Sequence, residues 1–216
     1  MSYREYGSDG PVLLLIHGIG AHCGTWEQVA PLLAREGMRV VTVDLPGHGQ
    51  SGTDHGDYSL PATARTLNAL LERLGHSQVT VVGHSLGGGV ALQLLRQHRA
   101  RVAGLVLVSS GGLGKETGMW LRLLSIPGSG PVLAAFAHQR TLAFSARVGR
   151  VLHRLGVHVT ALSGDTLDGV SAVFTARDSR RAFLATLRSV VNVSGQKLCA
   201  LDSLKVCSRL GEHYVR

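Results

Sequence analysis

The chain has 216 residues, of which 44% are hydrophobic and 17% are charged, and it carries a formal net charge of +8. This length and composition predict one globular domain with a sizeable core. No apolar stretch is long enough to predict a membrane span, and the first residues lack the pattern of a signal peptide. The three cysteines are odd in number and have no metal-ligand spacing, which favours a cytoplasmic protein over a disulfide-linked one.

The positive charge is confined to the second half of the chain. Residues 113–216 hold fourteen bases and six acids, whereas residues 1–112 hold eight of each. Basic clusters attract phosphate groups, but no aromatic interleaving or groove-reading helix motif accompanies this cluster. We therefore expect an arginine-rich solvated helical face and no nucleic-acid partner. A second hypothesis is that acidic sequence that would balance the charge is absent.

Strand patterns recur through the first half of the chain. Four continuous apolar runs predict strands, and Tyr3–Tyr6 is a candidate short strand before them. Runs that are apolar on both faces are typical of parallel strands buried between helix layers. The four runs are residues 12–16, 39–43, 79–82 and 105–108.

Helical patterns lie between these runs. One leucine repeat at i, i+3, i+4 and i+7 predicts a helix with Ser59 as its N-cap, and a second helix is predicted directly after Ser85. Alternating strands and helices indicate a doubly wound α/β sheet. The leucine repeat is Leu67, Leu70, Leu71 and Leu74, and the second helix carries Val90, Leu94 and Leu95.

Residues 111–196 contain no strong strand run and predict an all-helical insertion. Helices are predicted near residues 119–124, 133–144, 148–155 and 180–191. Within the first of these helices, a stripe of apolar side chains is expected to pack in the core, and the less favoured interpretation is that it lines a pocket. The stripe is Met119, Trp120, Leu123 and Leu124. The predicted organisation is therefore a core over residues 1–110, a helical cap over 111–196 and a short irregular tail over 197–216.

The most informative motif is Gly83-His84-Ser85-Leu86-Gly87, followed by Gly88. It lies between an apolar strand run and a helix pattern, where a sharp turn would expose the hydroxyl of Ser85 as a nucleophile. The glycines allow the strained turn to form without clashes. We interpret His84 as a residue that packs against this turn or shapes it.

A second turn, His17-Gly18-Ile19-Gly20, follows the first apolar run. Its Ile19 N–H and the N–H of Leu86 are predicted to bind a developing oxyanion, because two preorganised donors stabilise a tetrahedral intermediate. His17 is predicted to brace the turn rather than act as a base. The dense turn chemistry of residues 44–51 favours a structural loop near the site.

These residues closely resemble the α/β-hydrolase fold family, in its lid-bearing branch with a serine nucleophile. The resemblance covers about residues 3–200, and its motifs occur in the family's order, each at a strand end. It implies a mostly parallel sheet with a helical cap, a small-molecule ester or related acyl substrate, and no metal or organic cofactor. Ser85 argues against the epoxide hydrolases and haloalkane dehalogenases, which carry aspartate at this position. The motifs are His17-Gly18, Asp44-Leu45-Pro46-Gly47-His48-Gly49 and Gly83-His84-Ser85-Leu86-Gly87-Gly88.

The chain departs from the family after the predicted cap. Family members place an acid and then a histidine on two further strands, but residues 197–216 are too short for two strands and a helix. We therefore expect the last strands, the acid and the base to be absent. Asp202 and His213 are the only pair in the right order, and a frayed tail is the favoured interpretation of both. His138, His153 and His158 of the cap are predicted to be surface or packing residues.

Three functional hypotheses follow. The first is a serine-dependent hydrolase of esters, impaired by the missing acid and base. The second is an inactive remnant or a binding pseudoenzyme, and the third, disfavoured, is a binder of anionic surfaces. Loss of the last strands would leave residues 105–108 as an exposed apolar edge, which predicts self-association.

Overall fold

The computed structural model describes residues 1–53, 56–111, 119–136 and 177–197. Five strands form one sheet in the order β1-β3-β2-β4-β5, with β1 antiparallel to β3 and the other neighbours parallel. This arrangement confirms the predicted mostly parallel α/β sheet. The strands are β1 (Tyr3–Tyr6), β2 (Val12–Ile16), β3 (Arg39–Val43), β4 (Val79–His84) and β5 (Val102–Val108).

Strand β5 begins three residues before the predicted run. Its first residues include Gly104, which the apolar pattern did not assign to a strand. The lack of a side chain lets the backbone pass close to Thr80, since a Cβ at Gly104 would lie 3.1 Å from the Thr80 Oγ1. The register between β4 and β5 also shifts at this point, between Val79 and Thr80.

Helices cover the sheet where the sequence predicts them. The side-chain oxygen of Ser59 accepts a hydrogen bond from the N–H of Ala62 at 3.4 Å, so Ser59 is the predicted N-cap. The predicted leucine stripe faces inward, with Leu67 and Leu71 fully buried in the main core. The helices are α1 (Ala30–Arg35), α2 (Leu60–Arg73) and α3 (Leu86–Gln97), and short 3₁₀ turns cover Cys23–Trp26 and Arg99–Arg101.

The region predicted as a cap, residues 111–196, contributes three described helices and a small hairpin. The helices are α4 (Met119–Ser125), α5 (Ser129–Phe136) and α6 (Arg177–Val190), and the hairpin strands are β6 (Val191–Asn192) and β7 (Gly195–Gln196). The all-helical prediction is therefore wrong at its end. The side chain of Asn192 accepts the N–H of Ser194 at 2.9 Å, and Gly195 has a φ of 120°. These features turn the chain back, because asparagine favours such turns and glycine tolerates positive φ.

Helices α5 and α6, together with β6, form a second apolar cluster. The cluster is formed by Leu133, Phe183, Leu184, Leu187 and Val191. The guanidinium of Arg188 donates to the carbonyls of Ser125 and Ile126 at 3.3 and 3.1 Å, which ties α6 to the carboxyl end of α4. The predicted helices near 148–155 and most of that at 133–144 lie outside the described residues, and the domain boundaries remain predictions.

The described sheet ends at β5, which pairs with β4 alone among the described strands. Val106 and Val108 are 48% and 40% exposed. The predicted edge is thus present in this part of the chain, and self-association through it remains a prediction. No helix in the described ranges is both long and apolar enough to cross a membrane.

Candidate active site

Ser85 occupies the sharp turn between β4 and α3. Its φ of 51° and ψ of −115° lie outside the regions that residues with a side chain normally adopt. The Ser85 N–H donates to the Val108 carbonyl at 3.1 Å, and the Ser85 carbonyl accepts the N–H groups of Gly88 and Gly111 at 3.0 and 2.9 Å. These bonds to β5, to α3 and to the segment after β5 hold the unusual backbone conformation in place.

Three glycines let the backbone approach itself around this turn. A Cβ at Gly83 would lie 2.5 Å from the Gly87 carbonyl oxygen, and one at Gly88 would lie 2.7 Å from the Ser110 Cβ. A Cβ at Gly87 would meet the carbonyl oxygens of Ile16 and His17, the latter at 2.7 Å. The geometry therefore requires glycine at the positions where the sequence predicted small residues.

Gly87→Ala is expected to destabilise the protein by about 2 kcal/mol or more, because overpacking against backbone that cannot move exceeds the gain of about 1 kcal/mol in helix propensity. The free energy of unfolding in urea, read against Gly52→Ala, measures this. A Cβ at Gly52 would meet nothing within 4 Å, and its φ is not positive. Equal stability of the two variants would show that the approach of α3 to β2 does not require glycine.

His17 anchors the turn that faces Ser85. The ring is fully buried, its Nε2 accepts the N–H of Leu45 at 3.0 Å, and its Nδ1 lies 2.7 Å from the Gly18 carbonyl oxygen. Since Nε2 accepts, Nδ1 must carry the proton and donate to Gly18. Burial, and secondarily the nearby His48, lowers the pKa of His17 to about 3. His17 is therefore neutral, and both of its ring nitrogens are already committed.

This anchor fixes the orientation of the next peptide group. The Gly18 carbonyl accepts from His17 and also from the N–H of Ala21 at 3.2 Å. In a trans peptide the N–H of Ile19 points away from that carbonyl, and no described peptide bond is cis. The turn also lies against the Ser85 turn, since a Cβ at Gly18 would come within 3.2 Å of the Ser85 Cβ.

The loop after β3 forms a buried polar scaffold. The two carboxylate oxygens of Asp44 accept the N–H groups of Cys23 and Gln50 at 2.6 and 2.9 Å, and the Ser51 hydroxyl donates to the Asp44 carbonyl at 2.6 Å. His48 packs beside His17 with ring centroids 5.3 Å apart, and burial lowers the pKa of His48. These contacts lock the loop on the turn that carries Ile19.

One described cluster has the residue types of a metal site. Single ligand atoms of His22, Cys23 and Asp44 lie within 4.8 Å of one another. The His22 Nδ1, however, accepts the N–H of Gly24, and burial together with Asp44 raises the pKa of the Cys23 thiol to about 11. Metal binding needs a thiolate, so the cluster favours the protonated, structural state.

A cleft opens beside Ser85. Ile19 and Leu86 line the cleft beside the serine, the helices on the sheet contribute Leu60 and Gly89, and the predicted cap region contributes apolar side chains and Gln196. Neither a histidine nor a carboxylate is among the described residues that line it. The remaining lining residues are Gly111, Leu121, Leu187, Val190, Val191 and Gln196.

Sequence reasoning missed part of this lining. Leu121 contributes to the cleft, whereas Met119 and Leu123 of the predicted stripe are 75% and 49% exposed. Gly89 was also missed, although a third consecutive glycine inside a helix pattern was a visible signal. His84 is partly buried, and its Nδ1 lies in the interior without a hydrogen-bond partner. Asp202, His213 and the cap histidines lie outside the described residues.

A family model described as an alpha/beta hydrolase fold matches residues 11–188. The chain belongs to the α/β-hydrolase fold family. This membership confirms the resemblance carried by the two turns and the loop after β3. An α/β-hydrolase fold protein of known structure from Burkholderia ambifaria is similar, with a TM-score of 0.66 and 28% identity. The match covers 87% of this chain and 66% of that one.

Curated relatives include an uncharacterised protein of Mycobacterium tuberculosis that is 38% identical over 203 residues, or 93% of this chain. A fluoroacetate dehalogenase from a Burkholderia species is 37% identical over 47% of this chain and 35% of its own length. The present chain spans only 59% of the length of the mycobacterial protein. A dehalogenase is thus among the relatives of this member of the α/β-hydrolase fold family.

Proposed function

We propose that this α/β-hydrolase cleaves esters or related acyl compounds through nucleophilic attack by the Ser85 hydroxyl. The observation that carries the proposal is the position of Ser85, held at a strained strand-to-helix turn and lining an apolar cleft. The hydroxyl would attack the substrate carbonyl carbon, form a tetrahedral intermediate and release the alcohol to leave an acyl-enzyme. Water would then hydrolyse the acyl-enzyme and regenerate the serine.

The oxyanion hole would be formed by the backbone N–H groups of Ile19 and Leu86. Leu86 is the first residue of α3, so its N–H has no acceptor within the helix and lies at the positive end of the helix dipole. The His17 hydrogen bond to Gly18 orients the Ile19 N–H in advance. Donors fixed before the reaction stabilise the developing charge without a cost of reorganisation.

The cleft favours an uncharged, apolar acyl group. Leu121 and Leu187 of the cap face Leu60 of the core across it, and the described lining includes no charged side chain. A small-molecule ester would therefore place its carbonyl at Ser85 and its acyl chain between core and cap. The proposed acyl transfer by Ser85 uses no cofactor.

Deprotonation of Ser85 is expected to limit the rate of the proposed reaction. A serine without an adjacent base is a poor nucleophile, and the described lining offers no base. Oxyanion donors and substrate binding alone can still give residual catalysis above that of water. We therefore propose that this chain is an impaired hydrolase, because the described lining of the cleft supplies no base.

Covalent labelling tests the nucleophile independently of turnover. A fluorophosphonate probe should modify Ser85 by displacement of fluoride, with the modified residue identified by peptide mass spectrometry. Ser85→Ala should remove the label, whereas Ser8→Ala, at an exposed surface serine, should retain it. Equal labelling of Ser85→Ala and the unsubstituted chain would contradict the proposed role of Ser85.

The uncharged, base-free lining also supports a second candidate, a binding protein that keeps the cleft without turnover. Such a protein would bind apolar acyl compounds with the same affinity in Ser85→Ala as in the unsubstituted chain, and neither would be labelled.

We propose that the protein acts in the cytoplasm, whether it is a hydrolase or a binding protein. The free thiol of the buried Cys23 supports this location.

A further inference from the structure

Gly89 lies inside helix α3, where glycine is less favourable than alanine. The two preceding glycines are required by close approach to β2 and to Ser110. Gly89 differs, because a Cβ there would lie 3.0 Å from the Leu60 Cδ1 and 3.9 Å from the Gly111 carbonyl oxygen. The first neighbour is the end of a side chain rather than backbone, so packing of the helix does not demand a glycine at this position.

Gly89 does, however, line the cleft together with Leu60. Four residues of helical rise place it about 6 Å along α3 from Ser85. That distance is roughly the length of a butanoyl or hexanoyl chain attached to the serine. Gly89 and Leu60 therefore lie where the end of a short acyl chain would arrive.

We propose that Gly89, with Leu60, determines the length of the acyl chain that the cleft accepts. The missing side chain lets Leu60 pack against α3, whereas a Cβ at this position would lie 3.0 Å from the Leu60 Cδ1 and would push Leu60 into the cleft. The space that Leu60 leaves open would hold the distal methylene groups of an unbranched, uncharged acyl group of butanoyl to hexanoyl length. Leu187 and Val190 of α6 form the opposite wall, and the chain lies between these residues and α3. This inference rests on the proposed acyl transfer at Ser85.

The first test compares hydrolysis of 4-nitrophenyl acetate, butanoate, hexanoate and octanoate. In Gly89→Ala the ratio of kcat/KM for hexanoate to that for acetate should fall about tenfold, since one methyl group in an apolar pocket discriminates by about that factor. Gly52→Ala, which adds the same methyl group in open space, should leave the ratio unchanged. Adding Leu60→Val to Gly89→Ala should restore the hexanoate ratio. A ratio unchanged in Gly89→Ala overturns the inference, as does an equal loss on every ester.

A binding measurement separates this inference from the proposed function. In the Ser85→Ala background, ethanol, butan-1-ol, hexan-1-ol and octan-1-ol would displace bound 8-anilinonaphthalene-1-sulfonate. Adding Gly89→Ala should raise the apparent Kd of hexan-1-ol about tenfold relative to that of ethanol, with thermal unfolding confirming a folded variant. This result supports the acyl-length role even if the unsubstituted chain hydrolyses no ester. Equal Kd ratios with and without Gly89→Ala overturn the role whatever the ester assay shows.

Discussion

Ser85→Ala is expected to lower hydrolysis of 4-nitrophenyl butanoate about tenfold, to the rate given by the oxyanion donors and binding alone. A larger loss is not expected, because the described lining of the cleft supplies no base to activate the serine. The hydroxyl is the only group that we propose to attack the ester. We describe no structural role for it in the strained turn, so alanine should hold the turn equally well. Initial rates at several enzyme concentrations, with circular dichroism to show that both proteins are folded, measure the effect. Ser8→Ala serves as the matched control.

The companion variant His213→Ala tests whether the tail contributes a base. We expect its rate to equal that of the unsubstituted chain, because the sequence places His213 too soon after Asp202 for the family's architecture. A rate as low as that of Ser85→Ala would show that the tail supplies the base. Turnover in Ser85→Ala equal to that of the unsubstituted chain would instead contradict the serine mechanism itself.

Most of the sheet could be predicted from sequence because buried parallel strands are apolar on both faces. The β2 and β3 strands match their runs residue for residue, and Ser59 caps α2 as its side chain suggests. The start of β5 was missed since Gly104 interrupts the pattern, and its place depends on the neighbouring Thr80. The 191–196 hairpin was missed because two-residue strands are too short for any periodicity.

The turns of the site could be predicted because they depend on local chemistry. Glycines at 83 and 87, a histidine before Gly18 and a helix directly after Ser85 all constrain the backbone within a few residues. The lining of the cleft depends instead on contacts between distant segments. Leu121, Gly89 and Gln196 line the same cleft only in the folded chain, and their spacing along the sequence does not predict that they lie close together.

The stability of the protein is expected to fall as the pH drops from about 6.5 towards 3, and His17 is the main reason. The folded state keeps His17 neutral with a pKa of about 3, whereas in the unfolded chain the ring binds a proton with its ordinary pKa of 6.5. The unfolded state therefore binds more protons in this window, and the full loss approaches about 5 kcal/mol. Above pH 6.5 both states are neutral and His17 contributes no pH dependence.

Urea unfolding between pH 6.5 and 4.5 measures this effect, and the His17→Gln variant provides the reference because glutamates begin to take up protons near the lower pH. We expect a loss of about 2–3 kcal/mol from His17 over that interval, with a smaller loss in the same direction from His48. His17→Gln, which can accept from Leu45 but cannot titrate, should leave only the smaller slope. The comparison uses slopes rather than absolute stabilities, because the amide fits the site less well than imidazole at every pH. An unchanged slope in His17→Gln would show that the buried ring takes up its proton without unfolding the turn. It would contradict the role of His17 as a neutral anchor that holds the Ile19 N–H.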